Sequence, residues 1–280
     1  MTGQAGFTVI VPAHDEARVI GRTLQSMRRG AGARDHFHVI VVPNGCTDDT
    51  ADAARRADPA AEVIEIAQGS KSAAINEGLR RTKMFPVLVV DADIGIEYPA
   101  LLGLAEALRE PGVMVASPAP HVVTENSDRW TRAYYRVWSR HGYRAEGVGG
   151  SGVYGLSKEG AAMLGSLPPV IADDTYVRWS FPLSQQRRVS AFGEIPVKSV
   201  VEAPRTVTQL VACEARWHAG NVQLRKLKAG PGPTRAHLGG GVSPIDRIIY
   251  LCIKLLGRVR YAINVMTGRA GVWHRDTSTR

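Results

Sequence analysis

The stretch Phe85–Ile96, FPVLVVDADIGI, climbs through an apolar run into two acids, Asp91 and Asp93, with one alanine between them. Such a run reads as a strand buried on both faces. If the strand continues through the acids, residues two apart point to the same side, and the two carboxylates face one ligand together. Carboxylate oxygens are hard donors suited to Mg²⁺ or Mn²⁺, and an ion held there could bridge to a diphosphate. Acids after strands also serve as caps and turns, so the pair has to be read in its setting.

That setting is a series of alternating elements. Upstream, FTVIVPA (Phe7–Ala13) reads as a buried strand, and Glu16–Gly30 follows with helical spacing, Val19, Ile20, Leu24 and Met27 sharing a face. FHVIVVPNG is a second strand and TDDTADAARRA a second helix. AEVIEIA is a short third strand, and KSAAINEGLRRT a third helix with Ala74, Ile75 and Leu79 turned inward. Continuous apolar strands separated by helices indicate an α/β fold with a mostly parallel sheet covered on both faces. Right-handed crossovers bring the strand C-terminal ends to one edge, where open α/β sheets bind ligands. Three of those ends, PAHDE, PNGCTDD and DAD, are polar and should converge there, and the helix N-termini that follow favour phosphate. Beyond about Pro111 the texture changes to a strand, an arginine- and aromatic-rich helix over 127–144, a glycine-rich loop, and a long helix ending near residue 225.

Composition sets outer bounds. The chain has 280 residues, 44% hydrophobic and 22% charged, as expected of a globular protein with a sizeable core. Its net charge of +9 favours an anionic partner, whether phosphate, nucleic acid or an acidic membrane surface. No basic-aromatic motif supports nucleic acid. Cys46, Cys213 and Cys252 are widely spaced and show no zinc pattern, so a reducing, cytoplasmic compartment is the simplest reading. The N-terminus does not read as a signal peptide, and no apolar run is long enough to span a membrane.

The segments VIVPAHDEARVIGRTLQSM, VIVVPNGCTDDT, KSAAINEGL, VLVVDAD, GGSGVYGLSKEG, DDTYVRW and RWHAGN stand in this order between residues 7 and 225. Their succession resembles the GT-A glycosyltransferases of the family-2 type. The resemblance implies a Rossmann-like GT-A catalytic domain over residues 1–225, with a donor half at about 7–110 and an acceptor half at about 111–225. It implies an enzyme that moves a sugar from a nucleotide-diphosphate sugar, UDP-sugar favoured, to an acceptor hydroxyl with inversion. The acceptor would be a glycan, a lipid-linked sugar or a small molecule, and cell-surface glycan or glycolipid synthesis is one setting for such chemistry. On the donor side the resemblance assigns Pro12, Ala13, Glu16, Asn44, Lys71, Gly150 and Arg216. It gives Asp91 to the ribose and Asp93 to a Mn²⁺ or Mg²⁺ ion, with Asp91 beside it as a further ligand. It matches Asp174 to the catalytic base, with Asp173 in place of the family's glutamate, and Trp217 to acceptor stacking. The sequence departs from the pattern at Pro43–Asn44, where acids are common, and at Cys213, where processive relatives carry glutamine. Read without the resemblance, Asp173 and Asp174 could simply cap a helix starting near Thr175.

Residues 226–244 are rich in Gly and Pro and read as a linker or loop. From Ile245 helical spacing returns, with Ile245, Ile248, Ile249, Cys252, Leu255, Leu256, Val259, Ile263 and Met266 on one face of a C-terminal amphipathic helix within 245–280. That face over 245–266 suits peripheral contact with the inner face of a membrane, and it equally suits the domain's own apolar surface. Two rival functions use the same fold. A nucleotidyltransferase forming nucleotide sugars would carry a basic, Gly-rich loop after the first strand, where this chain has acids. A non-catalytic nucleotide-sugar-binding protein would not need Asp91, Asp93 and Asp174 intact.

Overall fold

A computed structural model describes residues 6–32, 36–140, 148–227 and 241–268. Strands β1 (Phe7–Ala13), β2 (Phe37–Pro43), β3 (Glu62–Val63) and β4 (Val87–Val90) alternate with helices α1 (Ile20–Arg28), α2 (Thr50–Ala57) and α3 (Lys71–Arg81). β1 is buried throughout because its side chains feed two cores. Phe7, Val9, Val11 and Ala13 join Leu24 and Met27 of α1, whereas Ile10 joins Ala74 and Ile75 of α3. A strand covered on both faces needs apolar residues at nearly every position.

β1 runs parallel to β2, from Phe7 opposite Phe37 to Ala13 opposite Pro43, and β4 lies parallel on its other side. β3 pairs with β2, so the chain order reverses across β1 and opens a crevice beyond the ends of β1 and β4. The chain continues through α4 (Tyr98–Ala107), β5 (Val115–Val123), α5 (Arg129–Trp138), β6 (Val153–Leu156), α6 (Lys158–Leu164) and α7 (Asp173–Ser180). β7 (Gln186–Val189), β8 (Ala191–Phe192), β9 (Ile195–Pro196), β10 (Lys198–Glu202), α8 (Val207–Lys226) and α9 (Pro244–Met266) complete it. The sheet order is β10-β5-β6-β4-β1-β2-β3, with β7 also on β5, and β6 is the antiparallel member.

Several expectations are corrected. β4 ends at Val90, and Asp91 and Asp93 stand on a turn rather than on an extended segment. The Asp91 amide still donates to Gly152 O (2.9 Å), but Ile94 N then returns to Asp91 O (3.2 Å) and turns the chain. α1 starts at Ile20, because Glu16 O first accepts from Val19 N and Ile20 N in a turn. Most of the Gly/Pro-rich segment and the last twelve residues lie outside the described residues.

A separate apolar cluster joins α5, α8 and α9 through Tyr134, Tyr135, Trp138, Leu210, Tyr250 and Ile253. The rings of Tyr134 and Tyr250 stack at 4.8 Å. Polar groups are paired inside this layer. Glu214 accepts from the Tyr134 hydroxyl and from Lys254 Nζ (2.9 Å), and Asp246 takes a two-pronged bond from Arg136 (2.7 and 2.8 Å). α9 approaches α8 closely at Gly257, where an added Cβ would sit 2.6 Å from the Glu214 Cβ. The buried side of α9 is therefore Asp246, Tyr250, Ile253 and Gly257, and the apolar face expected from the spacing is the exposed one. No helix among the described residues is long and apolar enough to cross a membrane.

Candidate active site

Lys71 is the first residue of α3, after Ser70, whose hydroxyl accepts from Ala73 N. A cation at a helix N-terminus opposes the helix dipole, so the position needs compensation. Two carboxylates from distant segments provide it. Lys71 Nζ lies 2.7 Å from Asp91 Oδ1, after β4, and 2.9 Å from Asp173 Oδ1, at the start of α7. One ammonium thus ties together the two acid pairs at the C-terminal edge of the sheet.

The electrostatics follow from crowding. Burial acts against the Lys71 charge, but Asp173 and Asp91 together outweigh it and raise its pKa above the lysine value of 10.5. Burial is the largest cause raising Asp91 above 3.8; Lys71 opposes it, and Asp93 and Asp174 add repulsion. Asp173 is raised likewise by burial, then by Asp91 and Asp174, again against Lys71. Tyr154 of β6, buried beside these acids, is pushed well above the ordinary phenol value by burial and by Asp173, Asp91 and Asp174. The four carboxylates carry more negative charge than Lys71 relieves.

Asp173 and Asp174 occupy the first turn of α7, where acids favour the helix dipole, but neither caps it from the N-cap position, which is Ala172. Asp173 is committed to Lys71. Asp174 accepts from Thr175 N (2.6 Å) with one oxygen and from Gly150 N (3.3 Å) with the other. The loop that supplies Gly150 is pressed against the acid turn. Gly152 adopts φ +64°, and a Cβ there would meet Ile94 at 2.6 Å and Asp91 Oδ2 at 3.5 Å. Only glycine fits that conformation and that space. Ser199 of β10 braces the loop by donating to Ser151 O (2.7 Å).

The β1 and β2 ends line the neighbouring part of the crevice. Pro12 and Ala13 stand opposite Val42 and Pro43, and Glu16 is buried just beyond, its amide donating to Thr50 Oγ1 (2.6 Å). Asn44, 1% exposed, donates through Nδ2 to Ala13 O (2.8 Å) and Val42 O (3.3 Å), and among the described residues its Oδ1 has no hydrogen-bond partner. Pro43, Gly45, Cys46, Asp48 and Ile66 line a pocket there. Asp15, Cys46 and Asp48 bring three ligand atoms within 4.8 Å of one another, but Asp15 accepts from Thr47 N (2.6 Å) and Asp48 from Thr50 N (3.1 Å), which ties both acids to their loop.

Arg216 and Trp217 lie midway along α8, both half-buried. Trp217 packs against the α5–α8–α9 cluster. Arg216 is four residues before Gly220, on the helix face that meets Ala172, where a Cβ on Gly220 would come within 2.8 Å of the Ala172 Cβ. Gln223 also holds this segment, accepting from Ile171 N and donating to Pro169 O (2.9 Å each). Sequence reasoning missed Tyr154 and Arg188, which donates to Gly149 O (3.2 Å) and Pro118 O (2.5 Å). Alternation along β6 could have placed Tyr154 inside; Arg188, in a basic pair on a short strand, carries no such signal.

Comparison with known proteins agrees with this architecture. The structure is similar to that of the mannosyltransferase PcManGT from Pyrobaculum calidifontis in complex with GDP-Man and Mn²⁺, at 21% identity and TM-score 0.62, covering 98% of this chain and 77% of that one. It is also similar to glucosyl-3-phosphoglycerate synthase from Mycobacterium tuberculosis, in a complex with phosphoglyceric acid, at 18% identity and TM-score 0.55 over 82% of each chain. A second structure of that synthase, with Mn²⁺ and UDP-glucose, gives TM-score 0.53 at 18% identity over 82% of this chain and 81% of that one. At these identities the likeness concerns the fold. The search of curated proteins finds no match. The family model of glycosyl transferase family 2 matches residues 8–157, more than half of the chain, running from the second residue of β1 through the end of β6. By that match, on a mainly parallel GT-A sheet, the chain belongs to glycosyl transferase family 2.

Proposed function

We propose that the protein transfers a sugar, with inversion, from a nucleoside-diphosphate sugar to an acceptor hydroxyl, and that the crevice around Lys71 is where it does so. The observation that carries this reading is the Lys71 bridge, which sets the Asp91–Asp93 and Asp173–Asp174 pairs around one cleft. In the proposed reaction Asp174 removes the proton of the acceptor hydroxyl while its oxygen attacks the anomeric carbon. The bond from that carbon to the diphosphate breaks, and its electron pair leaves with the diphosphate. A single displacement of this kind inverts the anomeric centre. The Gly150 and Thr175 amides hold Asp174 in place, and Lys71 fixes Asp91 and Asp173 and adds positive charge beside the leaving group.

Asp91 and Asp93 fit a Mn²⁺ or Mg²⁺ ion. Their oxygens are hard donors, their mutual repulsion is what a divalent cation relieves, and a pair of carboxylates completed by substrate phosphates is a common way to bind such an ion. When bound it would supply charge stabilisation for the diphosphate. Asn44, between Pro43 and Gly45 of the pocket at the β2 end, is assigned to the side of the crevice that takes the donor base. Uracil, thymine and guanine all offer a ring N–H, so UDP-sugar is the favoured donor on the family resemblance alone. Arg216 and Trp217 are assigned to the donor diphosphate and the acceptor.

The test is a thermal-shift screen of UDP-, GDP- and dTDP-sugars with and without Mn²⁺, followed by transfer assays. We expect one nucleotide class to raise the melting temperature in a metal-dependent way. Asp93→Ala should abolish that shift, and Asp174→Asn should keep it while losing transfer. Normal turnover by Asp174→Asn would remove its role as the base.

A further inference from the structure

α9 is two-sided in an unusual sense: both of its sides are apolar, and only one is covered. Asp246, Tyr250, Ile253 and Gly257 are buried against α5 and α8. On the opposite side Ile248, Leu251, Leu255, Val259 and Ile263 recur at intervals of three and four, each 47–61% exposed. A continuous apolar stripe of this kind on a surface marks a contact site.

The charges around the stripe indicate the partner. At 3.6 residues per turn Arg247 and Arg258 fall along one edge of it, whereas half-buried Arg260 falls one heptad after Ile253, toward the covered side. The one acid in the helix, Asp246, is on the buried side and bound to Arg136. Lys254 is occupied with Glu214. Arg136 of the neighbouring helix α5 is likewise occupied, with Asp246, and only Arg129 and Arg132 of that helix add exposed positive charge to the same layer. The stripe is therefore bordered along one edge by Arg247 and Arg258, with no exposed carboxylate on the helix, in a chain of net charge +9. Two copies meeting through this face would bring arginines together with no acid to oppose them. An anionic lipid surface meets both requirements, since the apolar side chains enter the acyl boundary while the arginines remain among the headgroups.

We propose that the outer face of α9 docks the protein on an anionic bilayer, the helix lying in the plane of the interface. The inference is independent of the sugar-transfer reading, and the two can fail separately.

The experiment is cosedimentation of the full chain with vesicles of phosphatidylglycerol and phosphatidylcholine, beside vesicles of phosphatidylcholine alone. We expect sedimentation with the anionic vesicles that weakens as salt rises. Leu255→Glu with Val259→Glu should abolish it. Arg258→Gln should weaken partitioning roughly fivefold. Circular dichroism melts of both variants should match the parent, because the substituted positions lie on the outer face. Three outcomes would overturn the proposal: a parent protein that stays in the supernatant, vesicle binding that neither variant changes, and a dimer in analytical ultracentrifugation that the Glu variant splits without any vesicle binding.

Discussion

At the scale of single residues, Lys71 explains how a crowded acidic site survives in a folded chain. Its raised pKa means that its stabilising charge is fully present below 10.5 and is lost only as pH rises beyond that value. Asp91 and Asp173 have the opposite consequence at neutral pH. With folded pKa values above 3.8, the stability they contribute is present below 3.8 and is lost as pH rises through the raised values. Metal binding should feel the same protons. We expect Mn²⁺ affinity, followed by calorimetry in buffers of different ionisation enthalpy, to fall on acidification already above pH 3.8, with proton release on binding; a flat profile down to 3.8 would count against Asp91 as a ligand. Asn44 gives a second case. Its amide donates to two buried carbonyls, so Asn44→Asp, which restores the residue common in the family, would set a carboxylate against Ala13 O. We expect it to destabilise the fold by about 1–3 kcal/mol in urea melts. The Asn44 departure was legible in the sequence; its role as a tie between strand ends was not, because Ala13 O is brought there only by the β1–β2 register.

At the scale of elements, the helical layer of α5, α8 and α9 shows why the tail was half legible. Helical periodicity finds the faces of α9 but does not say which one is covered. The covered face carries Asp246 and Gly257, which a hydropathy reading turns outward. It is buried because Arg136 neutralises Asp246 and because Gly257 lets α9 approach Glu214 and Ala215. Those partners come from other helices and have no sequence signal within α9. The Lys254–Glu214 pair tests this account, since Glu214 is buried and its partner is half exposed. Lys254→Met should cost about 2 kcal/mol, because it leaves the carboxylate with the Tyr134 hydroxyl alone. Adding Glu214→Leu should recover most of the loss in the same denaturation series. The acid turn after β4 is the other element-scale lesson. The apolar run predicts the strand, but its end is set by the local return of Ile94 N to Asp91 O and by Gly152 O, in a loop more than sixty residues away.

At the scale of the whole molecule, the sheet and its crevice were legible because each of β1, β2 and β4 announces itself by a short apolar run and a polar end. The convergence of those ends then follows from handedness. What joins Asp91 to Asp173 was not legible physically, since Lys71 reaches both only after α3 and α7 have been folded against the sheet. The same holds for Gly220, which seats α8 directly behind Ala172 and so behind the second acid pair. We expect Gly220→Val to lower transfer by more than its loss of stability accounts for, read as kcat against the urea midpoint, because the new side chain displaces the start of α7 rather than the sheet. A wider consequence concerns heat. Since Asp174, the proposed base, is propped from behind by a layer that has its own small core, warming should silence turnover while the far-ultraviolet signal of the sheet is still intact, and cooling should bring turnover back without refolding the chain.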